Sequence, residues 1–247
     1  MQLITVATHS QGYYPALQAS CARFNVQMTV LGWGCRWRGF GWKLQLVATH
    51  LSTLPRGECV VVIDAFDTLL VSGVHDLAAQ FSKANLPFIC AAERRHRSAI
   101  WNTMQERIFG GSVPSAHPAT EYQYLNAGAW ISTAGYALDL LREREGDRFI
   151  NDQKFFADLF AAGRVFIDDW CNIFVCIRSE ADLLITQNSP YRVASRRTGA
   201  HPCIVHAPAG VSLRTTTKAL GYPDSRYRLP HRLWKYAYSV WALGGTR

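Results

Sequence analysis

An α/β fold with a mostly parallel central sheet is what this sequence predicts, on three observations. The chain opens on a strand pattern, Leu3 to Thr8, then a helical pattern through Tyr14, Leu17 and Cys21, then a second strand pattern, Gln27 to Leu31. That β-α-β order builds parallel sheets. Next, Val60-Val61-Val62-Ile63 is a run of four β-branched residues, the signature of a strand buried on both faces. Finally, Asp64 and Asp67 follow that run directly. Ligands of open α/β sheets bind outside the carboxyl ends of the strands, where this carboxylate pair falls.

The 247 residues contain no Pro/Gly/Ser-rich linker and no shift in composition, so one domain over 1–247 is expected. With 49% hydrophobic and 12% aromatic residues, the chain can build a sizeable core. A formal charge of +8 favours anionic partners such as nucleotides, phosphates, nucleic acid or an acidic membrane surface. Seven cysteines, an odd number with no CxxC pair or Cys/His zinc spacing, argue for reduced, mostly buried thiols rather than a disulfide framework. The first residues already read as a strand, with no basic n-region, and no apolar run reaches membrane-spanning length. A soluble chain without signal peptide or transmembrane segment is the expectation.

The remaining elements follow in order. Gly32 to Lys43 is dense in Gly, Trp and base. It reads either as a loop approaching a nucleotide or as a loop whose tryptophans cap the core. Leu44 to Leu54 is a helical pattern, and Pro55-Arg56-Gly57 turns the chain into the central strand. Leu69 to Val71 continues extended, Asp76 to Lys83 is helical, and Pro87 to Ala92 is another strand. Glu93 to Pro118 is a long, basic, poorly periodic excursion anchored by Trp101, of the kind that carries function. Tyr124 to Ile131 is extended, with Asn126 and Gly128 as its irregular members. An amphipathic helix over Tyr136 to Glu145 ends on a solvated, charged face, Arg142 to Arg148, and Asn151 or Asp152 caps the next helix. Val165 to Asp169 and Asn172 to Ile177 are strands about a turn, and Ile204 to Gly210 is a short strand breaking at His206. A basic, aromatic helix over about 229–242 closes the chain, with docking on the core or a membrane surface as its two readings.

A hard divalent cation takes oxygen ligands, tolerates an imidazole and keeps positions for water and phosphate. Asp64 and Asp67 offer the oxygens and His206 the nitrogen. Singly, Asp67 is as well explained as a turn cap and His206 as a core histidine bonded to backbone. Two carboxylates at one strand end favour the metal.

Six motifs recur in the same order in a known family: Leu3 to Thr8, Leu31-Gly32-Trp33-Gly34 to Trp37-Arg38-Gly39, Asp64-Ala65-Phe66-Asp67, Tyr124-Leu125-Asn126-Ala127-Gly128, Asn151 to Phe156, and Val205-His206. In these the chain resembles the glycosyltransferase domain of the procollagen lysyl hydroxylases and their viral relatives, from Met1 to about Tyr222. The resemblance implies a GT-A fold with a Rossmann-like sheet and a Mn²⁺-dependent hexosyltransferase using UDP-glucose or UDP-galactose. It implies Asp64, Asp67 and His206 as metal ligands. Thr8, Trp37, Phe66 and Gly210 then line the nucleotide, Phe66 standing where the family has a Tyr against uracil. Lys43 ends the family's Gly-rich segment, shorter here.

Two departures stand out. His206-Ala207-Pro208-Ala209-Gly210-Val211-Ser212 replaces a His-Gly-Asn-Gly-Pro-Thr-Lys motif, which moves the diphosphate-facing cation to Arg214. An acidic run is reduced to Asn151-Asp152, leaving Asp152 either to orient the acceptor hydroxyl or simply to cap a helix. Asn126 and Asp152 are the expected catalytic pair. The expected acceptor is hydroxylysine or galactosyl-hydroxylysine of a collagen-like protein, on a stand-alone transferase without the iron and 2-oxoglutarate module, in the cytoplasm of a cell or of a viral host. A glycan or lipid acceptor, a UDP-binding pseudoenzyme and a basic nucleic-acid-binding protein are the competing readings, the last disfavoured by retention of the metal and nucleotide residues.

Overall fold

A computed structural model of the chain describes residues 1–94, 119–144, 146, 150–186 and 192–223. Most of the excursion after Glu93, with Trp101, and the expected C-terminal helix lie outside these residues.

The first half lays down five strands: β1 (Gln2–Val6), β2 (Met28–Leu31), β3 (Cys59–Asp64), β4 (Thr68–Leu70) and β5 (Phe88–Glu93). The second adds β6 (Tyr124–Thr133), β7 (Phe166–Ile167), β8 (Phe174–Cys176), β9 (Leu183–Thr186), β10 (Arg192–Ser195) and β11 (Ile204–His206). Between them run α1 (Tyr14–Arg23), α2 (Phe40–Leu51), α3 (Val74–Ala84), α4 (Ala134–Arg142), α5 (Asp152–Ala161) and α6 (Arg214–Ala219). The main sheet has the order β2-β1-β3-β6-β5-β7, parallel throughout except for β6, which runs against both its neighbours. A second sheet, β4-β11-β8, and a β9-β10 hairpin complete the strands.

The β3 run is buried on both faces as its composition requires, and its side chains divide by parity. Val60 and Val62 enter one core with Leu44, Val47, Leu138 and Phe155 of α2, α4 and α5. Val61 and Ile63 enter the other with Leu17 of α1, Leu77 of α3 and Phe174 and Ile204 of the small sheet. The main sheet is thus the middle of three layers. All seven cysteines are free, five of them buried. Among the described residues, no helix is long and apolar enough to cross a membrane.

Three differences from expectation bear on the site. The helix expected over Leu44 to Leu54 begins at Phe40, because Gly39 at φ 98° turns the chain into its first turn, and it ends at Leu51. Lys43 therefore stands on a helix rather than in the loop. The segment after His206 is not all loop, since Arg214 opens α6. The antiparallel pair β9-β10 was not foreseen, because strands of four residues are too short to show a clear period.

Candidate active site

Asp64 is the last residue of β3, and Asp67 lies in the turn that carries the chain out of the main sheet into β4. Thr68 Oγ1 closes that turn by donating to the Asp64 carbonyl at 2.5 Å. β11 pairs with β4, His206 opposite Thr68, and the Ala207 N–H donates to the Asp67 carbonyl at 2.8 Å. The two sheets thereby bring Asp64, Asp67 and His206 together, with one ligand atom from each lying within 4.8 Å of the others.

The chemistry of this group fits a metal ion. His206 is buried, and its Nε2 has no hydrogen-bond partner among the described residues; Asp67 Oδ1, at 3.5 Å, is beyond good hydrogen-bond reach. Its Nδ1 faces the Cys176 thiol at 3.7 Å. A buried imidazole nitrogen left over between two carboxylates is what a cation would satisfy. Burial works to lower the His206 pKa, but Asp67, Asp64 and Glu93 outweigh it and raise it. That balance records the same excess of negative charge.

β6 forms the floor. Its register against β5 slips between Cys90 and Ala91, whose partners are Trp130 and Asn126. This bulge frees the Ala127 to Ala129 stretch from β5, as bulges near active sites commonly do. A Cβ on Gly128 would sit 2.4 Å from His206 Cε1, 2.7 Å from Asp64 Oδ2 and 3.1 Å from Asn126 Oδ1. Only glycine leaves room for the three side chains. Asn126 accepts from the Gly128 N–H at 2.9 Å through Oδ1 and donates to Glu93 through Nδ2. Gln153 locks the same bend from α5, accepting from the Ala127 N–H at 2.9 Å and donating to the Leu125 carbonyl at 2.7 Å.

Asn151 is the N-cap of α5, accepting from the Lys154 N–H at 3.1 Å. That leaves Asp152 in the first turn, buried, with Oδ1 accepting from its neighbour Gln153 N–H at 2.9 Å. Its Oδ2 accepts from Lys43 Nζ at 3.1 Å, and the same ammonium donates to Asp64 Oδ1 at 2.7 Å. Lys43 is 6% exposed. Burial alone would lower its pKa, but the two carboxylates reverse the direction and hold the ammonium charged. The Asp152 pKa is also raised, here by burial itself, which outweighs the pull of Lys43.

Around this centre lie the remaining expected residues. Phe66, half-buried, lies edge-on to Tyr14 at 6.5 Å. The Thr8 carbonyl accepts from the Gly34 N–H at 2.9 Å, and its hydroxyl meets His9 Nδ1 at 2.9 Å. Trp37 packs edge-on against Phe40 and Trp42. Gly210, at φ 81°, ends a short 3₁₀ turn after His206. Arg214 is exposed on α6, just after Ser212 and Leu213, whose hydroxyl and N–H meet the Tyr13 hydroxyl at 3.5 and 2.9 Å. Tyr13 itself donates its N–H to the Phe66 carbonyl at 2.9 Å. The structure thus gathers Asp64, Asp67, His206, Asn126, Asp152 and Lys43 tightly, and ties the Arg214 segment to the Phe66 turn through Tyr13. Glu93, Gly128 and Gln153 join the set as supports that the sequence did not single out as site residues.

A mostly parallel sheet flanked by helices, with two carboxylates and an imidazole gathered at its carboxyl edge, places the chain in the α/β class with a candidate metal site. The sequence model of the PLOD GT domain matches residues 1–220, and the chain belongs to that glycosyltransferase family: it is a sugar-transferring enzyme. It is 24% identical over 199 residues to procollagen-lysine,2-oxoglutarate 5-dioxygenase 2 of Mus musculus, covering 74% of this chain and 26% of that one. It is 22% identical over 213 residues to the uncharacterized protein R699 of Acanthamoeba polyphaga mimivirus, covering 82% and 44%. The chain therefore spans about a quarter of the mammalian relative and less than half of the mimivirus one. A solved glycosyltransferase involved in glycosylation of the major capsid of PBCV-1 aligns with a TM-score of 0.48 at 9% identity, covering 89% of this chain and 98% of that one.

Proposed function

We propose that this chain transfers glucose or galactose from a UDP-sugar, with Mn²⁺, to a hydroxyl acceptor of the hydroxylysine or galactosyl-hydroxylysine class. The observation that carries the reading is the orphaned His206 Nε2 between Asp64 and Asp67, over the bare Gly128. Oxygen donors with one imidazole suit Mn²⁺, and when bound there it would neutralise charge on the diphosphate as UDP departs. Arg214 adds cationic charge to the diphosphate from the segment tied to the Phe66 turn, while Thr8, Trp37, Phe66 and Gly210 border the nucleotide. Lys43 keeps Asp64 and Asp152 apart from each other's charge. Asp152, beside Lys43 in the first turn of α5, receives or orients the acceptor hydroxyl proton. Asn126, fixed by Glu93, positions the sugar. The acceptor class is supported by the mammalian relative, a procollagen-lysine dioxygenase by name.

The test is UDP release and product mass with UDP-glucose and UDP-galactose, Mn²⁺ and a hydroxylysine peptide, plain or galactosylated. Release that vanishes on chelation and in Asp64→Ala plus Asp67→Ala, with one hexose added to the peptide, is expected. Equal release after chelation or in the double variant overturns the metal assignment. A hexose found on a polysaccharide and never on the peptide overturns the acceptor.

A further inference from the structure

His206 has two ring nitrogens, and the fold treats them differently. Nε2 lies toward Asp67, 3.5 Å from Oδ1, and has no hydrogen-bond partner among the described residues. Nδ1 points the other way, to the Cys176 sulfur at 3.7 Å. Both residues are buried, each 2% exposed.

The small sheet sets this contact. Cys176 ends β8 and His206 ends β11, and the two strands run parallel with Cys176 opposite His206. The Ile177 N–H donates to the His206 carbonyl at 2.9 Å and the Ala207 N–H to the Asp67 carbonyl at 2.8 Å, so the backbone is tied on both sides of the histidine. Gly128 closes in on the ring from β6, where a Cβ would fall 2.4 Å from Cε1. The imidazole is thus clasped, with Nε2 as its open end.

An imidazole that gives its Nε2 lone pair to a cation carries its proton on Nδ1. Ligating histidines nearly always donate that second N–H to a neighbour, commonly a carboxylate, a carbonyl or water. Here the neighbour is a thiol, a weak acceptor and a weak donor. It accepts from Nδ1–H when Nε2 is engaged, and in the other tautomer it donates its S–H to Nδ1, so the ring keeps one orientation in both. Unlike a carboxylate, it adds no charge to a pocket where Asp67, Asp64 and Glu93 already act on the ring.

We propose that Cys176 is a positioning residue, whose thiol holds the His206 ring so that Nε2 faces a divalent cation shared with Asp64 and Asp67. The proposal rests on the metal reading above and names the residue behind the ligand.

The experiment is calorimetric titration of the full chain with Mn²⁺ alone. Cys176→Val fills the space but cannot hydrogen-bond, and it is expected to weaken Mn²⁺ by about tenfold, the lower end of the range for such partners. Cys176→Ser keeps a donor and an acceptor and should bind close to wild type. No loss in Cys176→Val, or an equal loss in both variants, overturns the role of the thiol. Side-chain ¹⁵N spectra at saturating Mg²⁺, with the His206 signals identified by their absence in His206→Asn, add a readout that packing would not move. Nδ1 should carry the proton, and its signal should shift in Cys176→Val. The wild-type spectrum decides even where Cys176→Val does not fold, since a proton on Nε2 with the ion bound overturns the proposal. A wild-type chain that takes up no Mn²⁺ overturns the metal reading itself, whereas wild-type affinity in Cys176→Val overturns the part played by Cys176 alone.

Discussion

At Gly128 the case for the site is steric: the absence of a side chain is what the three candidate ligands and supports require. Gly128→Ala should weaken Mn²⁺ binding by about 10- to 100-fold, the range seen when groups around metal ligands are disturbed. Metal-dependent shifts in melting temperature would measure it, and an alanine variant with wild-type affinity would show that His206 and Asp64 can move aside freely. Lys43 makes a different demand. Lys43→Met strands Asp152 in a buried site, at a cost of roughly 3 kcal/mol. Asp64, with a side chain 38% exposed, keeps solvent screening and should contribute little to that loss. Urea unfolding checks the value, and Asp152→Asn in the same chain should recover part of it. That Asp64, Asp67 and His206 come together was legible in the sequence, because the chemistry of a candidate cation site restricts residue type. Glu93 and Gln153 were not, because their role depends on a register slip between two strands that no local pattern encodes.

At the scale of elements, β3 was the most readable because burial on both faces leaves composition no freedom. The start of α2 was misjudged since Gly, Trp and Lys mark loop and first turn alike, and the deciding fact is the φ of Gly39. β6 reads as a strand from its residues, but its antiparallel direction is set by its neighbours, β3 and β5. The connection between β7 and β8 is held by Asp168, whose carboxylate accepts from the N–H groups of Asn172, Ile173 and Phe174 at 3.0, 2.6 and 2.7 Å. Burial nevertheless raises its pKa to about 6, from an ordinary 3.8. The folded chain therefore holds this proton more tightly than the unfolded one. The resulting stabilisation, roughly 3 kcal/mol, is full below about pH 4 and is lost as pH rises through about 6. Asp168→Asn cannot titrate, so the stability gap between wild type and variant should narrow from pH 4 to pH 7 in parallel urea titrations. A gap that stays constant would place the Asp168 proton in the ordinary carboxylate range.

For the whole molecule, the α/β class and the mostly parallel main sheet followed from the β-α-β opening and the β3 run. The second sheet did not, because β4, β8 and β11 are each three residues long and too short to show a period. The net charge of +8 fits a diphosphate ligand as well as it fits nucleic acid, and titration decides between them. UDP with Mn²⁺ at a hundred times its dissociation constant should stabilise the fold by about 2.7 kcal/mol, lost on chelation. A steeply salt-dependent affinity for DNA with no such stabilisation would favour the nucleic-acid reading. The turn from Ala65 to Asp67 is where the chain leaves the main sheet for the small one, and His206 belongs to the strand paired with that departure. An ion shared by Asp64, Asp67 and His206 would rivet the two sheets together across their seam. Separation of the sheets then has to wait for the ion to leave. With the ion in place, amide protons of Val71, Ile177 and Ala207, which bond within the small sheet and its margins, should exchange on the clock of metal dissociation rather than that of local breathing.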